Sequence, residues 1–394
     1  MKLELLFKRE PFKEIFNECI SKFIYSKYKV KVIITWGNKN DDYNNNIFCY
    51  NSKLNIIYPR DISTDILFNV SKEYIYHKNK IRYLTQFIYV HLFTKTFFRK
   101  FFREKIYFRS PDFDLSNVIF LPGNNSVRML DFNSQTSFVI NKLDKNINVF
   151  KNSIELREKL KIKSIPLINN IDSNFYEEEL ISALPLNRIN SNNKFHKVLG
   201  FVYSDLNSIY KSTLNLLNLE SYNKKIISFL IDLEKKPLNI NKKTIESINY
   251  LLEILNNKYV ESTEIPITLT HGDFQNSNIL VNNDRYYIID WEFIDQRFLY
   301  YDYFTNIFSS RSPAGISSRI NKWVNNNQLL INIENWSNKN IFFKRINSNT
   351  YYIALFLIEE LLFRINESIL SNSNKNPGLE IILNELKSIN FDEK

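Results

Sequence analysis

Two carboxylates and one amide lie close together between residues 273 and 290 of this 394-residue chain. Asp273 and Asn278 stand five residues apart in the segment HGDFQNSN, and Asp290 ends the strand-like segment YYIID. Polar residues 282–284 separate two apolar segments and are typical of a hairpin turn. Folding of this hairpin would bring the side chains of Asp273, Asn278 and Asp290 together at one end of it.

These side chains are of the types that phosphoryl transfer requires. One carboxylate can accept or orient the proton of an attacking hydroxyl group. An amide oxygen and a second carboxylate can hold Mg²⁺ against phosphate oxygens, because Mg²⁺ prefers hard oxygen ligands and needs only one or two carboxylates. The spacing therefore predicts a site for phosphoryl transfer to a hydroxyl group.

The segment HGDFQNSN resembles the catalytic loop of the aminoglycoside phosphotransferase and choline kinase-like families, distant relatives of protein kinases. Their pattern is H-G-D, four residues and Asn, then a strand ending in I-D-W, and it matches over residues 271–291. The resemblance implies that Asp273 is the catalytic base and that Asn278 and Asp290 are the metal ligands. Two further residues would brace the loop, His271 and Asp302. A lone histidine is also compatible with a core position, and no proton-transfer role is predicted for it.

The resemblance implies that a nucleotide-binding lobe precedes the catalytic loop. The turn in LPGNNSVRML places Gly123 closest to the phosphates, because a tight turn offers backbone N–H donors to an anion. Lys142, at the end of a predicted strand, would contact the phosphates of ATP, and Glu155 in the next helix would orient it. Lys145 and Lys151 are alternative cations.

The segment FYEEELISALPL is similar to the hinge that joins the two lobes in this family. Its backbone would pair with adenine at four consecutive residues, Glu178, Glu179, Leu180 and Ile181. Ala183 stands where the family usually has glycine, which is a departure from the pattern.

The resemblance and the order of the predicted elements indicate an α+β chain with a bilobal, protein kinase-like fold. Residues 111–182 are predicted to form a small, β-rich lobe that binds the nucleotide. Residues 183–394 are predicted to form a mainly helical lobe with the catalytic loop and the acceptor pocket. Residues 1–110 lie outside the typical family unit and are predicted to form an extra α/β module of unknown role.

The N-terminal module contains a long predicted helix, Tyr83–Phe108, without glycine or proline. Its basic residues fall on one side of the helix and apolar residues on the other. The basic residues of that side are His91, Lys95, Arg99 and Arg103. Such a helix could contact an anionic membrane, a glycan or a phosphorylated partner, or it could pack on its own domain. Both interpretations stay open.

The composition limits the class of protein. Hydrophobic residues make up 44% of the chain, which supports large cores and argues against global disorder. Two cysteines form neither a disulfide framework nor a cysteine-rich zinc site. The sequence has no apolar segment long enough for a membrane-spanning helix and no secretory signal at its start, so we expect a cytoplasmic protein. The net charge of +10 fits phosphate-bearing or anionic partners and fits equally well lysines on a solvated surface, so charge alone does not choose a partner. No specific nucleic acid is predicted.

The sequence thus predicts an enzyme, a small-molecule kinase that uses ATP and Mg²⁺. The positive net charge favours a sugar or glycan-related acceptor over a strongly cationic one. A choline-, ethanolamine- or aminoglycoside-type kinase is one alternative, and a non-catalytic kinase-like binding scaffold is another. Four acidic residues after Trp291 could meet a cationic acceptor: Glu292, Asp295, Glu359 and Glu360. A solvated helix face is the other interpretation of the last two.

Overall fold

The computed structural model describes residues 3–37, 45–76, 79–99, 104–109, 114–142, 147–234, 242–282, 285–325, 348–371, 376–389 and 391. The chain divides into two compact units. Unit 1 comprises Met1–Glu158, Ile165–Phe195 and Leu280–Tyr287, and unit 2 comprises Lys159–Ser164, His196–Ile279 and Ile288–Lys394. The fold is mixed α/β, with a large antiparallel sheet in unit 1 and mainly helices in unit 2.

Unit 1 is built on a nine-stranded antiparallel sheet. Its strands are β1 (Ile33–Trp36), β2 (Asn45–Asn51), β3 (Ile56–Pro59), β4 (Glu104–Arg109), β5 (Val118–Pro122), β6 (Ser126–Asp131), β7 (Thr136–Asn141), β8 (Ile168–Asn169) and β9 (Phe175–Glu179). Their order across the sheet is β1-β4-β2-β3-β5-β6-β7-β9-β8. The helices of this unit are α1 (Leu3–Arg9), α2 (Phe12–Tyr28), α3 (Thr64–Ser71), α4 (Lys80–Thr94), α5 (Thr96–Arg99) and α6 (Ile147–Glu158).

The sheet carries a hydrophobic core on each face. Because successive strand residues point to opposite faces, Phe120 of β5 packs in the core that contains Phe16 of α2. Its neighbour Ile119 packs in the other core, which contains Phe93 of α4. A strand that is buried on both faces has a continuous apolar sequence rather than an alternating one, as VIFL of β5 does.

The predicted separate module at residues 1–110 is not confirmed. Strand β3 pairs with β5 through Ile57 and Phe120, so the N-terminal strands continue the sheet of residues 111–182. Phe108 packs against Phe48 and Phe120, with ring centroids 4.4 and 5.9 Å apart. Burial of these aromatic rings joins residues before and after position 110 in one hydrophobic core. Sequence order alone does not reveal such non-local pairing.

The predicted helix Tyr83–Phe108 is wrong in its C-terminal part. Helix α4 begins after Asn79, whose side chain accepts hydrogen bonds from the N–H groups of residues 81 and 82. Lys95 then has extended backbone, with ψ of 130°, and Glu104–Arg109 is strand β4 between β1 and β2. Pairing on both edges stabilises the strand where the local sequence also suits a helix. Lys100 and Arg103 lie outside the described residues.

Unit 2 is mainly helical and contains one small sheet. Its helices are α7 (Asn192–Thr213, which starts in unit 1), α8 (Leu219–Glu234), α9 (Lys242–Lys258), α10 (Tyr301–Ile307), α11 (Ile316–Asn325), α12 (Asn349–Ser371) and α13 (Pro377–Glu385). The sheet has the order β11-β12-β15, with β11 (Asn215–Asn218), β12 (Glu264–Thr270) and β15 (Asp295–Phe298). Helix α12 packs against α9 and is buried along most of its length. Among the helices that the structure describes, none is long and apolar enough to cross a membrane.

A third sheet contains the predicted hairpin. It has the order β10-β13-β14, with β10 (Leu184–Pro185), β13 (Ile279–Asn282) and β14 (Arg285–Ile288). Residues 283 and 284 of the predicted turn lie outside the described residues. The two strands connect the catalytic-loop segment before β13 with Asp290 after β14, as the sequence predicted.

A carboxylate buried between two arginines lies on β9, between strands β7 and β8 of the large sheet. Glu178 of β9 is 2% exposed and forms ion pairs with Arg128 of β6 and, at 2.8 Å, with Arg157 of α6. Burial alone would raise the pKa of Glu178, but the two guanidinium groups hold it below its ordinary value. The carboxylate is therefore charged in the folded protein and joins α6 to the sheet.

We expect Glu178→Gln to lower the free energy of unfolding by about 3–5 kcal/mol, because it leaves buried guanidinium charge uncompensated. Urea unfolding of this variant and of Glu179→Gln, its exposed neighbour, measures the difference. Since the folded pKa of Glu178 is lowered, the advantage of the natural protein is present above the unfolded-state pKa and is lost as the pH falls through the folded value. Equal stability of the two variants at neutral pH would contradict the assignment.

Candidate active site

The catalytic loop is held by the carboxylate of Asp302. Strand β12 ends at Thr270, and the next two backbone N–H groups, of His271 and Gly272, donate to Asp302 at 2.8 and 3.0 Å. The hydroxyl group of Tyr210 donates to the same carboxylate at 3.1 Å. Asp302 lies in the first turn of α10 and is fully buried. Three donors compensate its buried charge, and the start of the loop is fixed in return.

The imidazole of His271 connects the loop to the strand before Asp290. Its Nδ1 accepts a hydrogen bond from the N–H of Asp273 at 3.2 Å, and its Nε2 lies 2.8 Å from the carbonyl oxygen of Ile289. Because Nδ1 accepts from an amide and Nε2 faces a carbonyl oxygen, the proton of the neutral imidazole is on Nε2. His271 therefore sets the distance between the backbone at Asp273 and the backbone next to Asp290.

Gly272 occupies a position that no other residue fits. Its φ is +84°, and a Cβ atom there would lie 2.3 Å from the carbonyl oxygen of Phe293 and 2.8 Å from the guanidinium of Arg297. Both the backbone conformation and the contact exclude a side chain. The glycine lets the loop turn sharply between the two bonds to Asp302 and the carboxylate of Asp273.

The side chain of Asp273 is held on both of its oxygens. Oδ1 accepts a hydrogen bond from Nε of Arg311 at 2.6 Å, and Oδ2 accepts one from the amide of Asn278 at 3.1 Å. The amide of Gln275 lies 3.1 and 3.3 Å from the two oxygens. The carboxylate is 14% exposed, so it keeps access to solvent and to a substrate. Its donors fix one orientation of the group.

Asn278 lies opposite Ile289, the residue before Asp290, at the base of the hairpin. The N–H of Ile289 donates to the carbonyl oxygen of Asn278 at 2.9 Å. The side-chain amide of Asn278 donates to the backbone and carboxylate oxygens of Asp273, which directs its Oδ1 away from that carboxylate. Asp290 has left-handed backbone, with φ 70° and ψ 50°. A non-glycine residue in this conformation costs about 1–3 kcal/mol and is typical of functional sites.

These two residues fit a magnesium ion. The amide oxygen of Asn278 and the carboxylate of Asp290 are hard oxygen donors, and Mg²⁺ usually takes one or two carboxylates with water and phosphate oxygens. Within the described part of the chain there is no group of three or more His, Cys, Asp or Glu residues that could hold a metal. A site for a more strongly coordinated metal such as zinc is therefore not formed by those residues.

Arg311 is a site residue that the sequence did not predict. In addition to Asp273, its guanidinium contacts both oxygens of Glu360, at 2.7 and 2.9 Å, and the carbonyl oxygen of Gly272. It also lies over the ring of Phe363, 3.7 Å from the centroid. Burial lowers the pKa of Arg311, but the charge of Glu360 and smaller contributions from its other partners hold the pKa well above its usual value. Arg311 thus links the catalytic loop to helix α12.

Glu360 of α12 is the anion that balances this buried arginine. It is fully buried and also accepts from Arg364 at 3.0 Å and from the hydroxyl group of Tyr301 at 2.9 Å. Burial raises its pKa, but Arg311 and Arg364 lower it more, so the net pKa lies below the ordinary value. The carboxylate is charged and is already engaged by two cations of the same chain.

The solvated helix face expected at Glu359 and Glu360 is wrong. Glu359 is 6% exposed and accepts a hydrogen bond from Tyr222 at 3.1 Å. Burial raises the pKa of Glu359 against smaller opposite effects, the first of which is the charge of Lys225. Acidic residues inside the apolar sequence YYIALFLIEELLF are a signal for buried partners, because such residues are rarely buried without them. Of the other two predicted acceptor contacts, Glu292 is half-buried and Asp295 is exposed.

In unit 1, Lys142 lies beside the predicted phosphate-binding turn. The N–H of Gly123 donates to Ser126 at 2.9 Å, and a Cβ atom at Gly123 would lie 2.9 Å from that same carbonyl oxygen. The ammonium group of Lys142 donates to the carbonyl oxygen of Asn124 at 3.3 Å and pairs with Glu10 at 2.5 Å. The turn and the lysine therefore belong to one cluster.

The carboxylate that pairs with Lys142 is Glu10, whereas the expected partner Glu155 is exposed on α6. Glu10 follows helix α1, a region that the family pattern does not include, so motif spacing did not point to it. Of the alternative cations, Lys151 is exposed on α6 and Lys145 lies outside the described residues.

The predicted adenine-binding segment is partly engaged in the sheet. Glu178 pairs with Ser137 of β7 on one side and with Ile168 of β8 on the other, so its backbone lies inside the sheet. Glu179 pairs with β7, the N–H of Leu180 donates to Gln135 at 3.2 Å, and Ile181 follows the strand. The role of Glu178 in the structure is the buried ion pair with two arginines rather than an open backbone edge.

Comparison with known proteins is consistent with this geometry. Residues 236–323 match a family described as the phosphotransferase enzyme family, also called APH. The matched segment contains Asp273, Asn278, Asp290, Asp302 and Arg311. The match confirms the predicted resemblance to aminoglycoside phosphotransferases and places the catalytic loop in a segment of phosphotransferase type. The chain has no significant match among curated protein sequences.

Several solved structures are similar to parts of the chain. An aminoglycoside phosphotransferase solved as a ternary complex with streptomycin and ATP is 20% identical over 48% of this chain and 69% of its own, with a TM-score of 0.36. A choline kinase from Streptococcus pneumoniae is 13% identical over 68% of this chain and 91% of its own, with a TM-score of 0.46. An ethanolamine kinase from Plasmodium vivax is 14% identical over 82% of this chain and 93% of its own, with a TM-score of 0.39.

Gly272→Ala should destabilise the protein by at least about 1–3 kcal/mol, because it combines a left-handed backbone with a contact to Phe293. Gly200→Ala is the matched control, since Gly200 lies inside α7 and a Cβ atom there meets nothing within 4 Å. Alanine should stabilise that helix by about 0.5–1 kcal/mol. Chemical denaturation measures both changes, and a neutral effect at Gly272 would show that the loop conformation is wrong.

Arg311→Met should lower the free energy of unfolding by about 3 kcal/mol or more, because Glu360 and Asp273 both lose a buried cationic partner. Arg311→Lys should lie between the natural protein and Arg311→Met, since a lysine keeps the charge but not the planar group that reaches both carboxylates. Arg285→Met, at an exposed position in β14, is the control. Equal unfolding midpoints for all variants would contradict the central role of Arg311.

Proposed function

We propose that this chain, whose residues 236–323 match the phosphotransferase enzyme family, is a kinase that transfers a phosphoryl group from ATP to a hydroxyl group of a small molecule. The observation that supports this most directly is the geometry around Asp273. A solvent-accessible carboxylate is fixed by Arg311 and Asn278. The same asparagine accepts a backbone hydrogen bond from Ile289, the residue before Asp290.

In this proposal Asp273 positions the acceptor hydroxyl group and takes its proton as the acceptor oxygen bonds to the γ-phosphorus of ATP and the bond from that phosphorus to the departing ADP breaks. The requirement is geometric first, because a general base must lie within hydrogen-bond distance of the proton that it accepts. The two donors on opposite oxygens of Asp273 restrict its rotation, which keeps the base oriented before the substrate binds. Catalysis of phosphoryl transfer depends mainly on such positioning and on compensation of charge.

The amide oxygen of Asn278 and the carboxylate of Asp290 are the proposed ligands of Mg²⁺. A bound Mg²⁺ ion would compensate the negative charge of the phosphate oxygens. The chain's own contribution is to hold the two oxygen ligands in place. Two features position these ligands in the absence of the ion. They are the backbone hydrogen bond from Ile289 to Asn278 and the left-handed backbone conformation of Asp290.

Unit 1 is the proposed nucleotide-binding part of a bilobal, protein kinase-like fold. Gly123 and Lys142 are the proposed contacts to the phosphates of ATP, with Glu10 orienting the lysine in place of Glu155. Because the N–H of Gly123 donates to Ser126 and the side chain of Lys142 is fully buried, the turn would have to open for a phosphate to reach them. Glu179, the last residue of β9, and Leu180 and Ile181, which follow it, remain the proposed contacts to adenine. Support for this assignment comes from the cluster of Lys142 with the turn at Asn124.

The acceptor that we propose is an uncharged hydroxyl compound, a sugar or a glycan-related molecule. Two predicted contacts for a cationic acceptor, Glu359 and Glu360, are both buried. Glu360 is already paired with Arg311 and Arg364, and burial disfavours the charge of Glu359. A polycationic acceptor would have to displace internal cations to reach Glu360, which would leave buried arginines uncompensated.

Asp273→Asn should reduce turnover by about 10²–10⁴-fold, because it removes the base while it preserves the size of the side chain. The measurement is ADP release by the purified chain with ATP and Mg²⁺. Asp61→Asn, which removes an exposed carboxylate, is the control and should retain full activity. Circular dichroism confirms that both variants fold. Unchanged turnover in Asp273→Asn would show that another group is the base.

The acceptor class is tested by ADP release over a panel of sugars, amino alcohols, choline and aminoglycosides. Turnover on sugars supports the proposal. Turnover on choline, ethanolamine or aminoglycosides alone would overturn the sugar assignment and leave the kinase assignment intact. The chain is a non-catalytic kinase-like scaffold instead if it binds ATP but shows no ADP release that depends on Asp273. This must hold for every acceptor in the panel and for hydrolysis by water.

A further inference from the structure

Helix α4 of unit 1 exposes an unusual number of large apolar side chains. Ile81 is 75% exposed and Leu84 is 56% exposed, and four more large side chains of the same helix are exposed. These are Tyr83, Phe87, Ile88 and Leu92. Single exposed apolar residues are normal on protein surfaces, but a contiguous group marks an interaction surface. This group, residues 81–92 of α4, is called the α4 apolar surface.

The positions of these residues make one continuous stripe. Ile81, Leu84, Ile88 and Leu92 follow each other at spacings of three, four and four residues, which places them on one side of a helix. Tyr83 and Phe87 lie alongside, with their rings stacked at 6.1 Å between centroids. The core of unit 1 takes a different side of the helix and buries only residues near its C-terminal end. The residues that it buries are Val90, Phe93 and Thr94.

The solvent-facing side of α4 is apolar, whereas the sequence analysis predicted a basic side. The basic stripe predicted for this region does not face solvent as a unit, because Arg99 is 2% exposed and donates to the carbonyl oxygen of Ile62 at 2.9 Å. The exposed side of α4 is apolar instead. Its charges are confined to the ends, with Lys80 and Arg82 at the start of the helix and Lys95 directly after it, all exposed.

The charge on the helix has a single sign. The sequence KIRYLTQFIYVHLFT of α4 contains one lysine, one arginine, one histidine and no acidic residue. Lysines at the ends of an apolar helix stripe can extend their hydrocarbon stems along apolar groups while the ammonium group reaches outward. An apolar stripe with cations at its ends is complementary to a surface that is apolar inside and anionic outside.

We propose that the α4 apolar surface binds an anionic lipid surface, with the helix lying in the plane of the interface. Leucine, isoleucine and aromatic side chains would enter the region between headgroups and acyl chains, and Lys80, Arg82 and Lys95 would contact lipid phosphates. Binding of this kind needs no membrane-spanning segment. The proposal does not depend on the kinase assignment, although it would place the enzyme next to acceptors held at a membrane.

Two other occupants fit the observations less well. A second copy of the chain, with α4 packed antiparallel on its equivalent, would bring Lys80 and Arg82 of one helix near Lys95 of the other. No acidic residue of α4 would compensate that repulsion. An anionic glycan would satisfy the cations but would leave isoleucine and leucine side chains against a polar partner.

The test uses the full chain and two double variants with the same chemistry. Leu84→Glu with Ile88→Glu introduces two charges, four residues apart, into the α4 apolar surface. Ile227→Glu with Ile231→Glu makes the same change on α8, where both residues are exposed to a similar degree, 46% and 49%. Binding is measured by cosedimentation with vesicles of phosphatidylcholine, with and without phosphatidylserine.

The natural chain and the α8 variant should bind the vesicles that contain phosphatidylserine, and binding should weaken with added salt. The α4 variant should bind about tenfold more weakly or worse, because two apolar side chains leave the interface and two anions enter it. Lys80→Glu with Lys95→Glu should also weaken binding to anionic vesicles while it keeps the apolar stripe. Circular dichroism checks that each variant is folded.

Three results would overturn the proposal. The first is that the natural chain binds neither kind of vesicle, and the second is that the α4 and α8 variants bind equally. The third is self-association without lipid that the α4 substitutions abolish while vesicle binding is absent. That result would assign the surface to a second copy of the chain.

Discussion

The site depends on one buried carboxylate, Asp302, which accepts hydrogen bonds from two consecutive backbone N–H groups. These bonds fix His271 and Gly272, and the glycine then allows the turn that presents Asp273. The imidazole of His271 in turn hydrogen-bonds to the carbonyl oxygen of Ile289 and so fixes the backbone next to Asp290. The position of the proposed catalytic carboxylate and the position of a proposed metal ligand thus follow from a single buried carboxylate that solvent does not reach.

Both units contain a buried glutamate between two arginines. Glu178 joins a helix to the sheet in unit 1, and Glu360 joins helix α12 to the catalytic loop in unit 2 through Arg311. A buried ion pair contributes little net stability but is costly to break, so it selects one arrangement over others. For Glu360 this has a functional consequence, because a carboxylate that holds the catalytic loop is not free to recognise a cationic acceptor.

The N-terminal region contributes more to the proposed enzyme than the family pattern indicates. Its strands extend the sheet, and Glu10 pairs with Lys142, the proposed phosphate contact. The same region exposes the α4 apolar surface. A chain of this kind can place nucleotide binding and attachment to a lipid surface on one continuous sheet and its helices, since α4 packs on the face opposite α2.

The sequence alone determined the proposed catalytic loop, because HGDFQNSN and IDW are short local patterns that flank a single hairpin. It also determined that residues 111–182 are rich in strands and that residues 183–394 are mainly helical, where local propensity and burial agree. Only the tertiary structure decided the partners Arg311 and Glu10, the strand β4 within a helix-like segment, and the burial of Glu360. Each of these features depends on residues that are far apart in the chain. The spacing of residues in a local segment does not indicate which distant charge or strand packs against that segment.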